Sequence, residues 1–334
     1  MSGAPAVRLA PAKLNLTLAV LGRRPDGFHA LHSVMVPLGL SDRLSVAPAI
    51  GAADTLHVAG ADCGPDASNL VLRAIAAARA VVRTEHGPDA ATGPLAARLE
   101  KRIPVAAGLA GGSSDAAAAI DAALEAWRTE VTVSGRLAAA TSVGSDVAFF
   151  GAGGWAVVEG RGERVERIRS VRGPAPWVVL VTPAVAVSTP AVFAAWMAGA
   201  RAAGHGAAAA ASRHLADELR AGMTARALVV RAGILAHAND LMPAAQHVLP
   251  SLVAFRRGLI RVLGTAVGQS GSGPTAWVIY PSREDADAAA AAVRDALADG
   301  RIVAPGVASP AVTVAPLVLD RPDVRDACHG GSDT

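Results

Sequence analysis

The sequence predicts an α+β fold in two parts, on three observations. An antiparallel β pattern opens the chain, a glycine-rich turn at 103–112 runs straight into an alanine-rich helix, and composition shifts at 160–173 to arginine and turn residues. A chain of 334 residues can bury a sizeable core and divide into two domains. We place these at 1–165 and 166–320, followed by a flexible tail at 321–334.

The opening stretch alternates short apolar runs with turn residues, with Leu14, Leu16, Leu18 and Val20 at the period of one strand face. Arg23 to Gly27 reads RRPDG, a tight-turn order that leaves Phe28 and His29 just beyond the turn. Ser68 and Asn69 begin a helix whose stripe is Leu70, Val71, Ala74, Ile75, Ala78 and Val82. Leu95 to Ile103 is a strand feeding the glycine turn, and Ser113 to Trp127 is a helix so alanine-rich that it must be buried on most sides. A short helix at Gly135 to Ala140 follows, then GSD delivers Asp146 ahead of an apolar patch, and Trp155 to Val158 is a strand.

In the second half, Trp177 to Val181 is a strand and Pro190 to Met197 a helix start. Helical spacing runs through the alanine-rich 202–236, Asn239 and Asp240 cap a further helix, and Ala266 to Tyr280 is strand, glycine turn and strand. Ser282 with Asp285 forms a capping box for a helix that Gly300 stops, and Ala311 to Leu317 is a last strand.

Composition narrows the function class. With 52% hydrophobic and 18% charged residues the chain reads as globular rather than disordered. A formal charge of +3, with no basic block interleaved with aromatics, predicts no nucleic-acid partner and suits an anionic small substrate equally well. Two cysteines, Cys63 and Cys328, predict neither a disulfide scaffold nor a cysteine-ligated metal and fit a reducing cytoplasm. The uncharged stretch Trp177 to Ala200 is broken by Pro183 and Pro190, so no membrane span is expected. Oligomeric state stays open.

The glycine turn carries the chemistry. Gly108, Gly111 and Gly112, with small Ala106, Ala107 and Ala110 between them, let backbone N–H groups face a bound group, and Ser113 and Ser114 open the helix behind them. Unpaired N–H groups and the positive end of the helix dipole then converge on one spot, an anion site that suits phosphate. The same residues also describe an ordinary loop capped by an ordinary helix. The Walker pattern is absent, since Ser113, Ser114 and Asp115 follow Gly112 where Lys is required, and the GxGxxG spacing of a dinucleotide site is absent too.

Several separated stretches together resemble one family. PAKLNLTLAV, DGFHALHSV, IPVAAGLAGGSSDAAAA, GSDVAFF, STPAVF and SGSGPTAW occur in family order across nearly the whole chain. They resemble the small-molecule kinases related to galactokinase, homoserine kinase and mevalonate kinase, the GHMP kinases. The resemblance implies an N-terminal domain resembling a ribosomal-protein fold, a C-terminal ferredoxin-like α+β domain and a cleft between them. It also implies transfer of the ATP γ-phosphoryl group to an alcohol with Mg2+, though the metal ligands are not assigned.

Under that resemblance Pro104, Val105, Ala106, Ala107, Gly108, Leu109, Ala110, Gly111, Gly112, Ser113 and Ser114 match the ATP-binding loop. Asp146 matches the catalytic aspartate and Lys13 its partner lysine. By themselves the two also read as an N-cap or turn aspartate and a solvated strand lysine, the latter weakened because Ala12 and Leu14 suggest a half-buried strand. Asn15, two residues from Lys13 and so on its strand face, is a candidate substrate contact, with edge-strand hydrogen bonding as the alternative. Thr189 matches a position near the transferring group, although a threonine before Pro190 also suits a cap.

In one branch of the family the substrate carries a cytidine diphosphate group. Phe28 and Phe193 match the two rings on either side of its cytosine, and His29 matches the residue that hydrogen-bonds the base edge. With aromatics at only 3%, each placed ring is informative; Phe149 and Phe150 read as core. The SGSGPT turn at 270–275 is either a ligand contact or a plain hairpin. Asp115 is a rival carboxylate whose expected role is at the helix dipole. Two other readings keep the fold: a kinase of another alcohol (homoserine, mevalonate or a sugar), or a non-catalytic ligand-binding relative.

Overall fold

The computed structural model describes residues 4–63, 68–199 and 206–319. The expected tail at 321–334 and Cys328 lie outside these residues. Strands β1 (Ala6–Arg23) and β2 (His29–Pro48) form one long antiparallel hairpin. Its turn is the predicted one: Gly27 sits at φ +86°, its N–H donates to the Arg24 carbonyl (3.1 Å), and Asp26 accepts from the Phe28 N–H at 3.2 Å.

Because β2 is 20 residues long, its second edge takes two partners. Residues 31–35 pair with β5 (Ala156–Gly160) and residues 43–48 with β4 (Leu95–Glu100). With β3 (Thr55–Ala59) parallel to β4, and β6 (Arg164–Arg167) on β5, the order is β3-β4-β2-β5-β6 with β1 on the other edge of β2. The second sheet runs β10 (Ala311–Pro316), β7 (Trp177–Thr182), β9 (Ala276–Tyr280), β8 (Gly268–Gln269), all antiparallel. Sheet membership therefore changes within the arginine-rich segment that follows Gly160.

On the first sheet, helices α1 (Leu70–His86), α2 (Gly111–Ala126) and α3 (Val133–Val143) share a core with Leu44, Val46, Leu95 and Leu99. α4 (Ser145–Ala152) follows α3, and Phe149 is buried with Met35 and Val158, where full burial of such a ring is worth about 1.5–3 kcal/mol. In the second half come α5 (Thr189–Gly199), α6 (Ala207–Arg220), α7 (Ala225–Leu235), α8 (Leu241–Val248), α9 (Ser251–Leu263) and α10 (Arg283–Ala298). Ser282 caps α10 as predicted, accepting from the Asp285 N–H at 3.1 Å. No helix among the described residues is long and apolar enough to cross a membrane.

The sequence pattern misjudges β1 in one respect. Leu14 and Leu16 pack in a core with Trp155, Trp277 and Leu180, whereas Leu18 and Val20 pack in another with Val179, Val181 and α8. The register slips between Asn15 and Thr17, and a bulge of this kind bends the strand and breaks its two-residue period. One strand thus serves two cores and is tied to the α7–α8 connection: the Leu18 N–H donates to the Ala238 carbonyl (2.7 Å), and Asp240 accepts from the Val20 N–H (2.9 Å).

Candidate active site

The glycine turn runs from the end of β4 into α2 and faces a cavity of about 1030 Å³. α2 begins at Gly111, two residues before the expected Ser113, because Ala110 takes the left-handed conformation (φ 54°, ψ 33°) and ends the turn. No side chain caps the α2 N-terminus, so its first amides and the dipole face the cavity. Nine of the eleven matched loop residues, Pro104 to Gly108 and Ala110 to Ser113, line it. The other two do not: Leu109 is buried core whose carbonyl accepts from the Lys13 N–H (3.1 Å), and the Ser114 hydroxyl is buried without a partner.

The second glycine turn packs against the first. Ser270 Oγ donates to the Gly108 carbonyl (3.0 Å), and the Thr275 N–H donates to the Ala107 carbonyl (3.3 Å). A Cβ on Gly108 would lie 2.4 Å from the Ser270 carbonyl oxygen, so only glycine permits this approach. Asn239 holds the second turn from behind, donating through Nδ2 to the carbonyls of Gln269 and Gly271, both at 2.9 Å. It also accepts from the Leu241 N–H and so caps α8. Gly271, Ser272 and Gly273 line the cavity, so this turn is more than a plain hairpin.

Lys13 and Asp146 meet at that cavity. Lys13 Nζ donates to Asn15 Oδ1 (2.5 Å) and to the Gly108 carbonyl (3.0 Å), and lies 4.0 Å from Asp146 Oδ2. Burial pushes the Lys13 pKa down, and Asp146 opposes that shift. Asp146 stands in the first turn of α4, partly exposed to the cavity, while Lys13 is 3% exposed. Asn15 is oriented from its other side, its Nδ2 donating to Ser33 Oγ (2.8 Å), which in turn donates to the Thr17 carbonyl (2.5 Å). Thr189 lines the same wall and shares a 2.8 Å hydrogen bond with Ser272 Oγ.

Phe28, His29 and Phe193, the residues expected on the substrate side, also line the cavity, in an arrangement the sequence did not suggest. His29 stacks directly on Phe193, with centroids 4.8 Å apart and planes 18° from parallel, and Trp196 meets its edge. Phe28 is 50% exposed, and the Arg161 guanidinium lies over its ring at 5.1 Å. Burial, with Arg23 nearby, holds the His29 pKa below its ordinary value, so the ring is neutral at pH 7; its Nε2 is buried without a partner.

Sequence reasoning missed the charge cluster beneath the loop. Lys101 Nζ is paired with both Asp42 and Asp115, the latter at 2.8 Å, and all three groups are buried. Asp42 also accepts from the Arg102 and Ile103 N–H groups, which fixes the entry to the glycine turn. Asp115 lies in the second turn of α2 and serves as an ion-pair partner, not as the dipole or capping group expected. The available signal was a lysine immediately before the loop.

Burial raises the Lys101 environment's cost, yet the two carboxylates push the Lys101 pKa up overall. Asp115 is pushed up to about 7, by burial first and then by Asp42, with Lys101 opposing. A raised carboxylate pKa means that the folded state holds the proton more tightly than the unfolded chain. The stabilisation is complete below the unfolded carboxylate range and is lost as pH rises through about 7. Asp115→Asn removes this dependence, so its melting temperature relative to the parent is expected to climb between about pH 5 and about pH 8. Thermal unfolding across that range checks it, and a pH-independent difference would refute the assignment.

Comparison with known proteins fits this geometry. The family model described as GHMP kinases N terminal domain matches residues 69–154, which span α1, the glycine turn and Asp146. A 4-diphosphocytidyl-2-C-methyl-D-erythritol kinase of Pelotomaculum thermopropionicum is 38% identical over 291 residues, covering 86% of this chain and 93% of the relative. One of Streptomyces avermitilis is 38% identical over 292 residues, covering 85% and 90%. The chain belongs to the 4-diphosphocytidyl-2-C-methyl-D-erythritol kinase family.

A crystal structure of a 4-(cytidine 5'-diphospho)-2C-methyl-D-erythritol kinase superposes with TM-score 0.66 at 31% identity, covering 93% of this chain and 99% of that one. Homoserine kinase from Cytophaga hutchinsonii superposes with TM-score 0.67 at 17% identity, covering 95% and 96%, and shares the GHMP kinase fold. Ala110, at φ 54°, holds a backbone conformation that glycine adopts without strain. Ala148 and Met242 are both buried side chains.

Proposed function

We propose that this chain transfers the γ-phosphoryl group of ATP to the 2-hydroxyl of 4-diphosphocytidyl-2-C-methyl-D-erythritol, a step in non-mevalonate isoprenoid precursor synthesis. The observation that carries the reading is a single cavity lined by the uncapped α2 N-terminus, the Lys13–Asp146 pair and the Phe28, His29, Phe193 group. The triphosphate lies against the glycine turn, where backbone amides and the helix dipole offset its charge. The base docks among the rings, where stacking is worth on the order of 1–3 kcal/mol. His29, neutral and with Nε2 unpartnered, serves the pyrimidine edge.

Between these ends the acceptor hydroxyl sits at Asp146. Its oxygen attacks the γ-phosphorus, the bond from that phosphorus to the β,γ-bridging oxygen breaks, ADP leaves, and the hydroxyl proton passes to the Asp146 carboxylate. Lys13, fixed by Asn15 and the Gly108 carbonyl, holds the carboxylate and the hydroxyl in line and faces the transferring group. Thr189 and Asn15 complete the acceptor wall.

Magnesium belongs to the proposal. In kinase sites Mg2+ is held by the nucleotide phosphates with one or two carboxylates rather than by a protein cage. The residues fit that mode: Asp146 and Ser113 line the cavity, and among the described residues no group of three or more His, Cys, Asp or Glu side chains forms a cage. When bound, the ion supplies charge compensation to the β- and γ-phosphates.

Purified protein should consume ATP with the cytidine-containing alcohol and produce its 2-phosphate, while mevalonate and homoserine give no more than background. Turnover with either of those instead would reassign the acceptor. Absence of turnover with all three would favour a ligand-binding relative without chemistry.

A further inference from the structure

We infer that Arg161 binds the diphosphate of the substrate, forming an anion subsite between the base pocket and the transfer site; this rests on the function proposed above. The β5–β6 turn that carries it belongs to the arginine-rich segment that sequence reading treated only as a boundary.

The turn is built rigidly. Gly160 and Gly162 have φ of +69° and +118°, and the Arg161 N–H donates to Glu163 Oε2 (2.6 Å). A Cβ on Gly162 would lie 2.8 Å from the Ser145 side chain, so the turn packs against the residue just before Asp146. From there the Arg161 side chain reaches over the Phe28 ring, 5.1 Å from its centroid, and lines the cavity. Phe28 itself is tied to this wall through Asp26, which accepts from its N–H, and through Arg24, which pairs with both Asp26 and Glu163. Arg161 thus springs from a turn that meets both the Phe28 ring and the residue just before Asp146. The diphosphate of a nucleoside-diphosphate alcohol occupies the interval between base and acceptor along the ligand.

Charge accounting supports the assignment. Among the described residues three cationic side chains line the cavity: Lys13, Lys101 and Arg161. Lys101 is neutralised by Asp42 and Asp115, and Lys13 is engaged at Asp146. Arg161 makes no salt bridge among the described residues, and the nearby Asp26 carboxylate is taken up by Arg24. A guanidinium held in no salt bridge, with Asp26 nearby but bonded to Arg24, presents a planar fork of donors suited to two phosphate oxygens, and it keeps its contact with the Phe28 face while doing so.

The test compares CDP, CMP and cytidine as competitive inhibitors of the unsubstituted enzyme, Arg161→Gln and Arg161→Lys, with the KM for ATP measured in parallel. In the parent, CDP should bind more tightly than CMP. Arg161→Gln should weaken CDP by about tenfold to a hundredfold, from loss of charge-assisted hydrogen bonds, and erase its advantage over CMP. Cytidine and the KM for ATP should change less than about threefold, and Arg161→Lys should recover part of the CDP affinity. Equal weakening of CDP and cytidine would show that Arg161 only supports Phe28, and unchanged CDP binding would remove it from the site; either overturns the inference while leaving the proposed function standing. If the parent binds none of the three cytidine compounds, the proposed function and this subsite fall together.

Discussion

Asp146→Asn is expected to lower kcat by about 10²- to 10⁴-fold, the usual worth of a positioned general base. The KM values for both substrates should move far less, because in the proposed mechanism Asp146 meets the hydroxyl proton rather than the groups that hold the ligands. The substitution is nearly isosteric at a partly exposed position in the first turn of α4, so folding should survive it. It also removes the carboxylate that opposes the effect of burial on Lys13, whose pKa is already lowered. With the Asn side chain the lysine pKa falls further, and residual activity should decline at lower pH than in the parent. Steady-state kinetics across pH, with melting temperature as the folding control, measure all of this. A kcat within a few-fold of the parent would exclude Asp146 as the base.

Gly108→Ala should be nearly as damaging, for a backbone reason. Gly108 has φ +78°, and the added Cβ would lie 2.4 Å from the Ser270 carbonyl oxygen and 3.0 Å from that of Gly273. Neither neighbour is a flexible side chain, so the two glycine turns must separate. The left-handed backbone alone costs a non-glycine residue about 1–2 kcal/mol. The Gly108 carbonyl also accepts from Lys13 Nζ and Ser270 Oγ, so any shift moves the lysine that the proposed mechanism uses. Misplacement by about 1 Å is worth about 10²-fold in rate, and we expect kcat/KM to fall by at least that much, with a lower melting temperature. Gly233→Ala, in α7 with open space at its Cβ position, is the control and should be neutral or slightly stabilising. Near-parent activity for Gly108→Ala would mean that the contact between the turns does not position the site.

These two positions also mark how far the sequence could be read. RRPDG specifies a turn because Gly27 supplies the positive φ it needs. Asn69 and Ser282 cap their helices through the hydrogen bonds their residue types predict. The Val71, Ala74, Ile75, Ala78, Val82 stripe is buried as its spacing requires, while Leu70 at its edge turns toward the cavity. Such features are legible because each is decided within a few residues, by backbone sterics, local hydrogen bonds or helical period. The motif set likewise carried the family, and with it the matched positions of Lys13, Asp146, Phe28, His29 and Phe193.

What local pattern does not encode is which distant groups meet. A bulge at Asn15–Thr17 sends the two halves of β1 into different cores, and that break in period decides which strand faces reach the cavity. Burial of Lys101 between Asp42 and Asp115, the seating of Gly108 against Ser270, and the stacking of His29 on Phe193 all join segments far apart in the chain. Long-range packing fixes these distances, and small differences in approach decide whether a charge is neutralised or left to bind a ligand. By itself the sequence determined the glycine turn, the helix behind it and the residue types of a kinase site. Only the tertiary structure decided that Lys13 lies 4.0 Å from Asp146, that a second glycine turn backs the first, and that Arg161 faces the cavity with no salt bridge among the described residues.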